Sequence, residues 1–310
     1  MSELMNPLLC DPETGFCELP GLPTDQKLTN VEQKNENRIQ VIYYTDPICS
    51  SCWGIEPQLR RMKLEYGHVL DIKYKMGGLL PDWSYNSGGI SKPEDVAHHW
   101  DEVSRHYQMP IDGNVWLEDP LDSSYPPSIA VKAAQMQDQT KAVKFLRRIR
   151  EMLFLEKRNI TKLEYLTSAA KDTGLDVQQL KDDYTNGHAE KRFQVDLELR
   201  QRWKVRGFPS FFFTDKDGNS EFVSGSKPYT SFEQAILNLL PGVQKRYYDK
   251  SWENLFKQFS SLTVREFSEL SGIGISAGEM ILDNLAEKKL LRKDFSRNGN
   301  IYRRMDLSCV

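Results

Sequence analysis

The stretch TDPICSSCWG, residues 45–54, constrains the fold more than any other part of the chain. Its two cysteines, Cys49 and Cys52, are separated by two residues and come directly after the apolar run VIYY. The β-branched and aromatic residues at 39–45 predict a buried strand. The apolar residues that recur at three- and four-residue steps after Ser50 predict a helix. The pair therefore lies where a strand ends and a helix begins.

Two thiols at this spacing can exchange a disulfide with another protein, hold a metal or fill a core. The first N–H groups of a helix have no internal partner and carry partial positive charge, which favours a thiolate. We therefore expect the pKa of Cys49 to be lowered, Cys49 to attack, and Cys52 to resolve the mixed disulfide. Structural zinc is the alternative, but the sequence has no second C-x-x-C and its five histidines show no partner spacing. The context favours redox chemistry without a metal or cofactor.

The segments around the pair predict an α/β fold. Residues 69–78 read as a second strand, so strand, helix and strand form a crossover unit with parallel strands. A helical pattern follows over about 91–202. Strands then return at 205–215 and after the turn at 217–218, and a last helix closes a domain that we place at 38–240.

The two ends of the chain have other patterns. Residues 1–37 carry little periodicity and predict an extended arm. Its cysteines, Cys10 and Cys17, have three open interpretations: a second thiol pair that exchanges with Cys49–Cys52, a metal site formed with them, or thiols without a special role. Cys309, beside the C-terminus, is expected to be an exposed thiol.

Residues 243–310 predict two helices and a hairpin around Asn298-Gly299, which is the outline of a winged-helix domain. A winged helix suggests DNA binding, but in the second helix the acidic residues Glu279, Asp283 and Glu287 come before any lysine. Recognition helices usually lead with groups that reach bases and phosphates. The pattern therefore favours protein contact or intramolecular docking over DNA binding.

Composition limits the partners and the location. The formal charge of −3 argues against a general affinity for nucleic acid or for anionic membranes. No apolar run approaches the ~20 residues that span a bilayer. The N-terminal residues lack the basic and apolar regions of a signal peptide. We therefore expect a cytoplasmic protein, in which a close cysteine pair is more often redox-active than a permanent bridge.

The segment YYTDPICSSCWGIEP, the helical insertion and the later VRGFPSFFF resemble the DsbA branch of the thioredoxin superfamily. The resemblance implies a thioredoxin fold with a large helical insertion. It also implies active-site cysteines at Cys49 and Cys52 and a cis-proline at Pro209 that positions the substrate backbone. Phe208 would border the substrate, and Trp53 would be either a core residue or part of a substrate platform.

Two further segments, DGNVWLEDPLDSSYPPSIAVKAAQMQ and FLRRIREMLFLEKRNIT, resemble a cytosolic subgroup of that branch. The subgroup contains FrnE-like oxidoreductases and the adaptor family that delivers the redox regulator Spx to the ClpXP protease. The leading hypothesis is a thiol–disulfide oxidoreductase that acts on a cysteine-containing protein or on glutathione. The alternative is a protease adaptor that uses the same fold as a binding surface for its client.

Overall fold

The computed structural model describes residues 38–84 and 92–305, together with the backbone of two short strands near the N-terminus. The strands are β1 (Cys10–Asp11), β2 (Phe16–Glu18), β3 (Ile39–Thr45), β4 (Leu70–Met76), β5 (Gly207–Phe208), β6 (Ser210–Thr214), β7 (Ser220–Ser224), β8 (Ser261–Thr263), β9 (Leu291–Ser296) and β10 (Gly299–Arg304). The helices are α1 (Ser50–Gly54), α2 (Glu56–Tyr66), α3 (Pro93–Tyr107), α4 (Val115–Glu118), α5 (Tyr125–Gln137), α6 (Gln139–Phe154), α7 (Leu163–Asp172), α8 (Val177–Thr185), α9 (His188–Arg202), α10 (Tyr229–Leu239), α11 (Trp252–Gln258), α12 (Val264–Ser271) and α13 (Ile275–Glu287). Apart from β1 and β2, the predicted arm at 1–37 lies outside the described residues.

A four-stranded sheet in the order β4–β3–β6–β7 forms the centre of the fold. Strand β3 runs parallel to β4 and antiparallel to β6, and β6 pairs antiparallel with β7. The aromatic and β-branched residues of β3 and β6 are mostly buried, and the ring of Tyr43 stacks on Phe211 with centroids 4.1 Å apart. The predicted α/β thioredoxin-like arrangement is confirmed, because the crossover unit and the later hairpin share one sheet.

Among the residues described between β4 and β5 there are seven helices, α3 to α9, in agreement with the predicted insertion. Asp138 caps α6 by accepting hydrogen bonds from the backbone N–H groups of Thr140 and Lys141. Gly174 and Gly187 have φ values of +72° and +81°, as expected where glycine ends a helix. None of the helices within the described ranges is long and apolar enough to cross a bilayer.

The helix that follows the cysteine pair differs from the prediction in being interrupted. The spacing predicts one helix over 50–66, whereas the structure has α1 and α2 separated at Ile55. Pro57 is in the first turn of α2. Proline has no N–H to continue the hydrogen bonds of the preceding turn, so a second helix starts there.

The C-terminal segment, 252–304, has its own small core. Helices α11, α12 and α13 pack with a three-stranded sheet in the order β8–β10–β9, around buried apolar residues that include Leu262, Phe267 and Leu282. A capping box at Thr263 and Glu266 starts α12. The hairpin β9–β10 is present where Asn298-Gly299 predicted it. The winged-helix assignment and the domain boundary at 240–243 stay predictions.

Charged side chains join the C-terminal segment to α2 and α6. Both terminal nitrogens of Arg147 donate to the carboxylate of Glu266, at 2.8 and 3.0 Å. The Nε of Arg60 lies 3.2 Å from the same carboxylate, and the side chain of Glu266 is fully buried. Arg303 reaches Glu151 at 2.7 Å. These contacts agree with intramolecular docking, one of the two alternatives that the sequence favoured; contact with another protein stays a prediction.

Candidate functional site

Cys49 and Cys52 lie at the junction of β3 and α1, as the sequence predicts. Cys49 is the N-cap residue of α1, and its Sγ accepts a hydrogen bond from the backbone N–H of Cys52 at 3.3 Å. Both residues are thiols and do not form a disulfide. The junction thus places the sulfur of Cys49 at the N-terminus of α1 and that of Cys52 within the first turn of the helix.

The Phe208–Pro209 peptide bond is cis and lies beside the first cysteine. The Sγ of Cys49 donates a hydrogen bond to the carbonyl oxygen of Phe208 at 3.8 Å. Gly77 permits this arrangement, because a Cβ at that position would lie 1.8 Å from Cζ of Phe208. The fold therefore assembles Cys49, Cys52, Phe208 and Pro209, although their roles in chemistry stay predictions.

The expected lowering of the pKa of Cys49 is wrong for this structure. Cys49 and Cys52 are both 0% exposed. Burial raises the pKa of the Cys49 thiol, and the side chain of Cys52 raises it further, whereas the hydrogen bond from the backbone N–H of Cys52 lowers it. At Cys52 burial also raises the pKa, but the hydrogen bond with Cys49 and the positive charge of Arg150 outweigh burial and lower it. Desolvation thus exceeds the helix-start effect at Cys49, and the geometry favours the thiolate at Cys52.

Arg150 is a site residue that the sequence reasoning missed. Its side chain is fully buried and forms an ion pair with Glu56 at 2.9 Å. Its second terminal nitrogen donates to the hydroxyl of Thr45 and to the carbonyl of Asp46. This guanidinium therefore fixes the end of β3 and supplies the positive charge that acts on Cys52.

Trp53, expected as core or as a substrate platform, is packed as core in this structure. Its side chain is 0% exposed. The indole N–H donates to the carbonyl of Pro110 at 3.0 Å, and the ring stacks with Phe154. The guanidinium of Arg147 also lies over the indole ring, 4.2 Å from its centroid. The geometry favours the core alternative, and contact of Trp53 with a substrate stays a prediction.

The N-terminal strands lie beside Phe208, next to the cysteine pair. Strand β2 pairs antiparallel with β5, with Cys17 opposite Phe208 and Glu18 opposite Gly207. Strand β1 pairs with β2, with Cys10 opposite Cys17. The side chains of Cys10 and Cys17, and all of Cys309, lie outside the described residues. Among the residues that the structure does describe, no group of three or more potential ligands could hold a metal.

Asp46, directly after β3, is a buried carboxylic acid. Its Oδ1 accepts from the backbone N–H of Ile48, and its Oδ2 accepts from the N–H of Leu79 and from the hydroxyl of Ser124. Burial raises the pKa of Asp46 to about 6, despite these hydrogen bonds and the nearby charge of Arg150. These contacts agree with a turn-forming role.

We expect Asp46 to make stability fall between pH 4 and pH 7. Its folded pKa of about 6 exceeds the ordinary 3.8, so the folded chain keeps this proton longer than the unfolded chain. The stabilisation is present below about pH 4 and is lost as the pH rises to about 6, a change of about 3 kcal/mol. The measurement is the free energy of unfolding in urea at several pH values. Between pH 4 and pH 7, Asp46→Asn should gain that amount of stability relative to the unmodified protein. Asp71→Asn, at a side chain 42% exposed, is the control. If the free energies of unfolding of Asp46→Asn and of the unmodified protein changed equally with pH, the prediction would be wrong.

Comparisons with known proteins agree with the fold. The sequence profile of a family described as Thioredoxin matches residues 43–234. A protein named ClpXP adapter protein SpxH from Halalkalibacterium halodurans is 34% identical, and the match covers 99% of this chain and 100% of the relative. The protein of the same name from Bacillus subtilis is 27% identical, with 86% of this chain and 89% of the relative covered.

A solved structure with a similar fold is that of the cytosolic disulfide reductase DsbM from Pseudomonas aeruginosa. Its TM-score is 0.52 at 23% identity, and the match covers 64% of this chain and 99% of DsbM. The structure of DsbM with GSH gives a TM-score of 0.50 at 22% identity, covering 64% of this chain and 100% of that one. At this identity the likeness is one of fold alone.

Proposed function

Since the chain belongs to the thioredoxin family and, within it, to the SpxH group of ClpXP adapters, we propose that it is an adapter that presents a client protein to the protease ClpXP. One observation carries the proposal. The similarity to the adapter from Halalkalibacterium halodurans spans 99% of the chain, whereas the match to the oxidoreductase structure covers 64%. The adapter relative therefore shares the C-terminal segment, which lies beyond the profile match at 43–234.

The burial of the thiols supports binding over turnover. Cys49 is fully buried and its pKa is raised, so in this conformation it offers no reactive thiolate to an external disulfide. A binding surface needs no such thiolate. The docked C-terminal segment adds a second surface beside the thioredoxin-like part, which suits a protein that must hold a client and a protease together. The cytoplasmic location expected from the sequence belongs to the same proposal.

Thiol–disulfide exchange is the second candidate function. It is favoured by Cys49 at the start of α1, by the carbonyl of Phe208 beside its sulfur and by the charge of Arg150 near Cys52. In this scheme Cys49 attacks, Cys52 resolves, and Pro209 positions the backbone of a cysteine-containing protein. Glutathione is a further candidate substrate, because the fold is shared with a reductase whose structure contains GSH.

Replacing both cysteines separates the two functions. Spx, the client of the adaptor family that the sequence resembles, is the first client to test. We expect Cys49→Ser/Cys52→Ser to support degradation of Spx by ClpXP as well as the unmodified protein does, because serine preserves the shape of the buried pair. Reactions without the protein give the baseline, and reduction of insulin reports thiol exchange. Degradation that falls to the baseline in the double variant would argue for a function that depends on the thiols.

A further inference from the structure

The N-terminal hairpin occupies the strand edge next to the cis-proline. Strand β2 pairs with β5, whose last residue, Phe208, precedes Pro209. A peptide substrate that extends the sheet at this position would have to displace β2, because one edge of a strand accepts one partner. The chain's own arm therefore lies where the second candidate function would place the substrate backbone.

The register places Cys10, Cys17 and Phe208 opposite one another on three successive strands. Cys10 is opposite Cys17, and Cys17 is opposite Phe208. Opposed residues in an antiparallel ladder have Cα atoms about 4.5–5.5 Å apart, which lies within the range that a disulfide requires. The carbonyl oxygen of Phe208 is 3.8 Å from Sγ of Cys49. Cys17 thus stands opposite the residue that contacts the first cysteine of the pair, and Cys10 stands one strand further away.

We propose that the hairpin is an intramolecular substrate of the cysteine pair, and that Cys17 is the residue with which Cys49 exchanges a disulfide. The arm is oxidised first, when a low-molecular-weight disulfide such as oxidised glutathione takes two electrons from Cys10 and Cys17. The Cys10–Cys17 bond forms, the S–S bond of oxidised glutathione breaks, and two molecules of glutathione leave with the two thiol protons. The thiol of Cys49 then loses its proton to solvent, and the resulting thiolate attacks Sγ of Cys17. Burial keeps this thiolate scarce, but a positioned partner in the same chain compensates through its high effective concentration. A Cys17–Cys49 bond forms, the Cys10–Cys17 bond breaks, and Cys10 leaves as a thiolate that takes a proton from solvent.

The second step returns the arm to its reduced form. Cys52 loses its proton to solvent, and its thiolate attacks Sγ of Cys49. The Cys49–Cys52 bond forms, the Cys17–Cys49 bond breaks, and Cys17 leaves as a thiolate that takes a proton from solvent. In total two electrons pass from the buried pair to the arm. The arm thereby carries oxidising equivalents from solvent to two thiols that are 0% exposed. This inference does not depend on the adapter function, because no step needs a client protein or the protease.

Trapping the intermediate tests the proposal on the full-length protein. In Cys10→Ser/Cys52→Ser neither thiol that could break the mixed disulfide remains. After treatment with oxidised glutathione, peptide mass spectrometry of the monomer should find Cys17 joined to Cys49. The positioned pair has the higher effective concentration, so we expect its yield to exceed that of Cys49–Cys309 in the same molecules at least about tenfold.

The matched control exchanges the two arm cysteines. Cys17→Ser/Cys52→Ser keeps Cys10 in place of Cys17, and its Cys10–Cys49 yield should be lower by at least about tenfold, because Cys10 lies one strand further from the site. Equal yields, crosslinks between separate molecules only, or no Cys17–Cys49 bond would overturn the proposal. So would stoichiometric zinc in the purified protein that is lost in Cys17→Ser, because metal-bound thiolates are not free to exchange. None of these readouts uses the protease, so the adapter function and this exchange can fail separately.

Discussion

Replacing Arg150 by methionine is expected to lower the free energy of unfolding by about 3–5 kcal/mol, since it breaks a buried ion pair by removing one partner. Methionine fills much of the space of the arginine stem but donates no hydrogen bond. The carboxylate of Glu56, itself buried, would lose its 2.9 Å contact with the guanidinium. The hydroxyl of Thr45 and the carbonyl of Asp46 would lose their donor at the end of β3.

The same substitution should raise the pKa of Cys52. The charge of Arg150 is one of the contributions that lower this pKa against the effect of burial. Titration of thiolate absorbance should therefore show ionisation shifted to higher pH in Arg150→Met. Arg150→Lys keeps a positive charge and should recover part of the shift, which a purely structural role would not predict.

Arg148→Met is the matched control on the same helix. Arg148 pairs with Glu156 and Asp172, whose side chains are 35% and 43% exposed. Exposed pairs of this kind contribute about 1 kcal/mol or less. The loss in free energy of unfolding, measured with urea, should therefore be clearly larger for Arg150→Met than for Arg148→Met. If Arg150→Met destabilised the protein no more than Arg148→Met, the assignment of Arg150 as the buried support of the site would be wrong.

The parts of the site that were predictable are those that local sequence determines. A β-branched run, the cysteine pair and the following helical spacing are adjacent in the chain, so the position of Cys49 at a strand–helix junction followed from the residues themselves. The cis bond before Pro209 came from the resemblance. The interruption at Ile55 also had a local signal, because Pro57 marks a new helix start.

The burial of Cys49 and the role of Arg150 depend on contacts that are distant in sequence. Phe208 lies 159 residues from Cys49, and Glu56 lies 94 residues from Arg150. Arg150 did carry a weak signal, because it follows Leu146 by four residues and so lies on the buried face of α6. With Arg147 and Arg148 in the same helix, periodicity alone could not show which arginine meets the cysteine pair.

The sequence favoured protein contact or intramolecular docking of the C-terminal segment, but the residues that dock it were beyond local reasoning, and they give the other large expected effect. Glu266→Ala should lower the free energy of unfolding by about 3–5 kcal/mol, because it leaves two nearly buried guanidinium groups without their shared carboxylate. These belong to Arg60 and Arg147, whose side chains are 8% and 9% exposed. Loss of the capping box with Thr263 should add about 1 kcal/mol.

Two further variants separate the charge of Glu266 from its other contacts. Glu266→Gln retains an oxygen that can accept from the backbone N–H of Thr263 but has no charge, so it should lose most of the ion-pair contribution and keep the cap. Glu269→Ala removes a carboxylate from the same helix that pairs with Arg61 and Arg265, side chains 30% and 24% exposed, and should cost about 1 kcal/mol or less. Urea unfolding gives the free energies, and hydrogen exchange of α12 and β10 reports whether the segment has detached.

Because Arg147 also contacts Glu151, whose neighbour on the helix is Arg150, detachment should reach the cysteine pair. A Glu266→Ala protein as stable as Glu269→Ala, with unchanged exchange in α12, would show that the buried charges do not hold the segment in place.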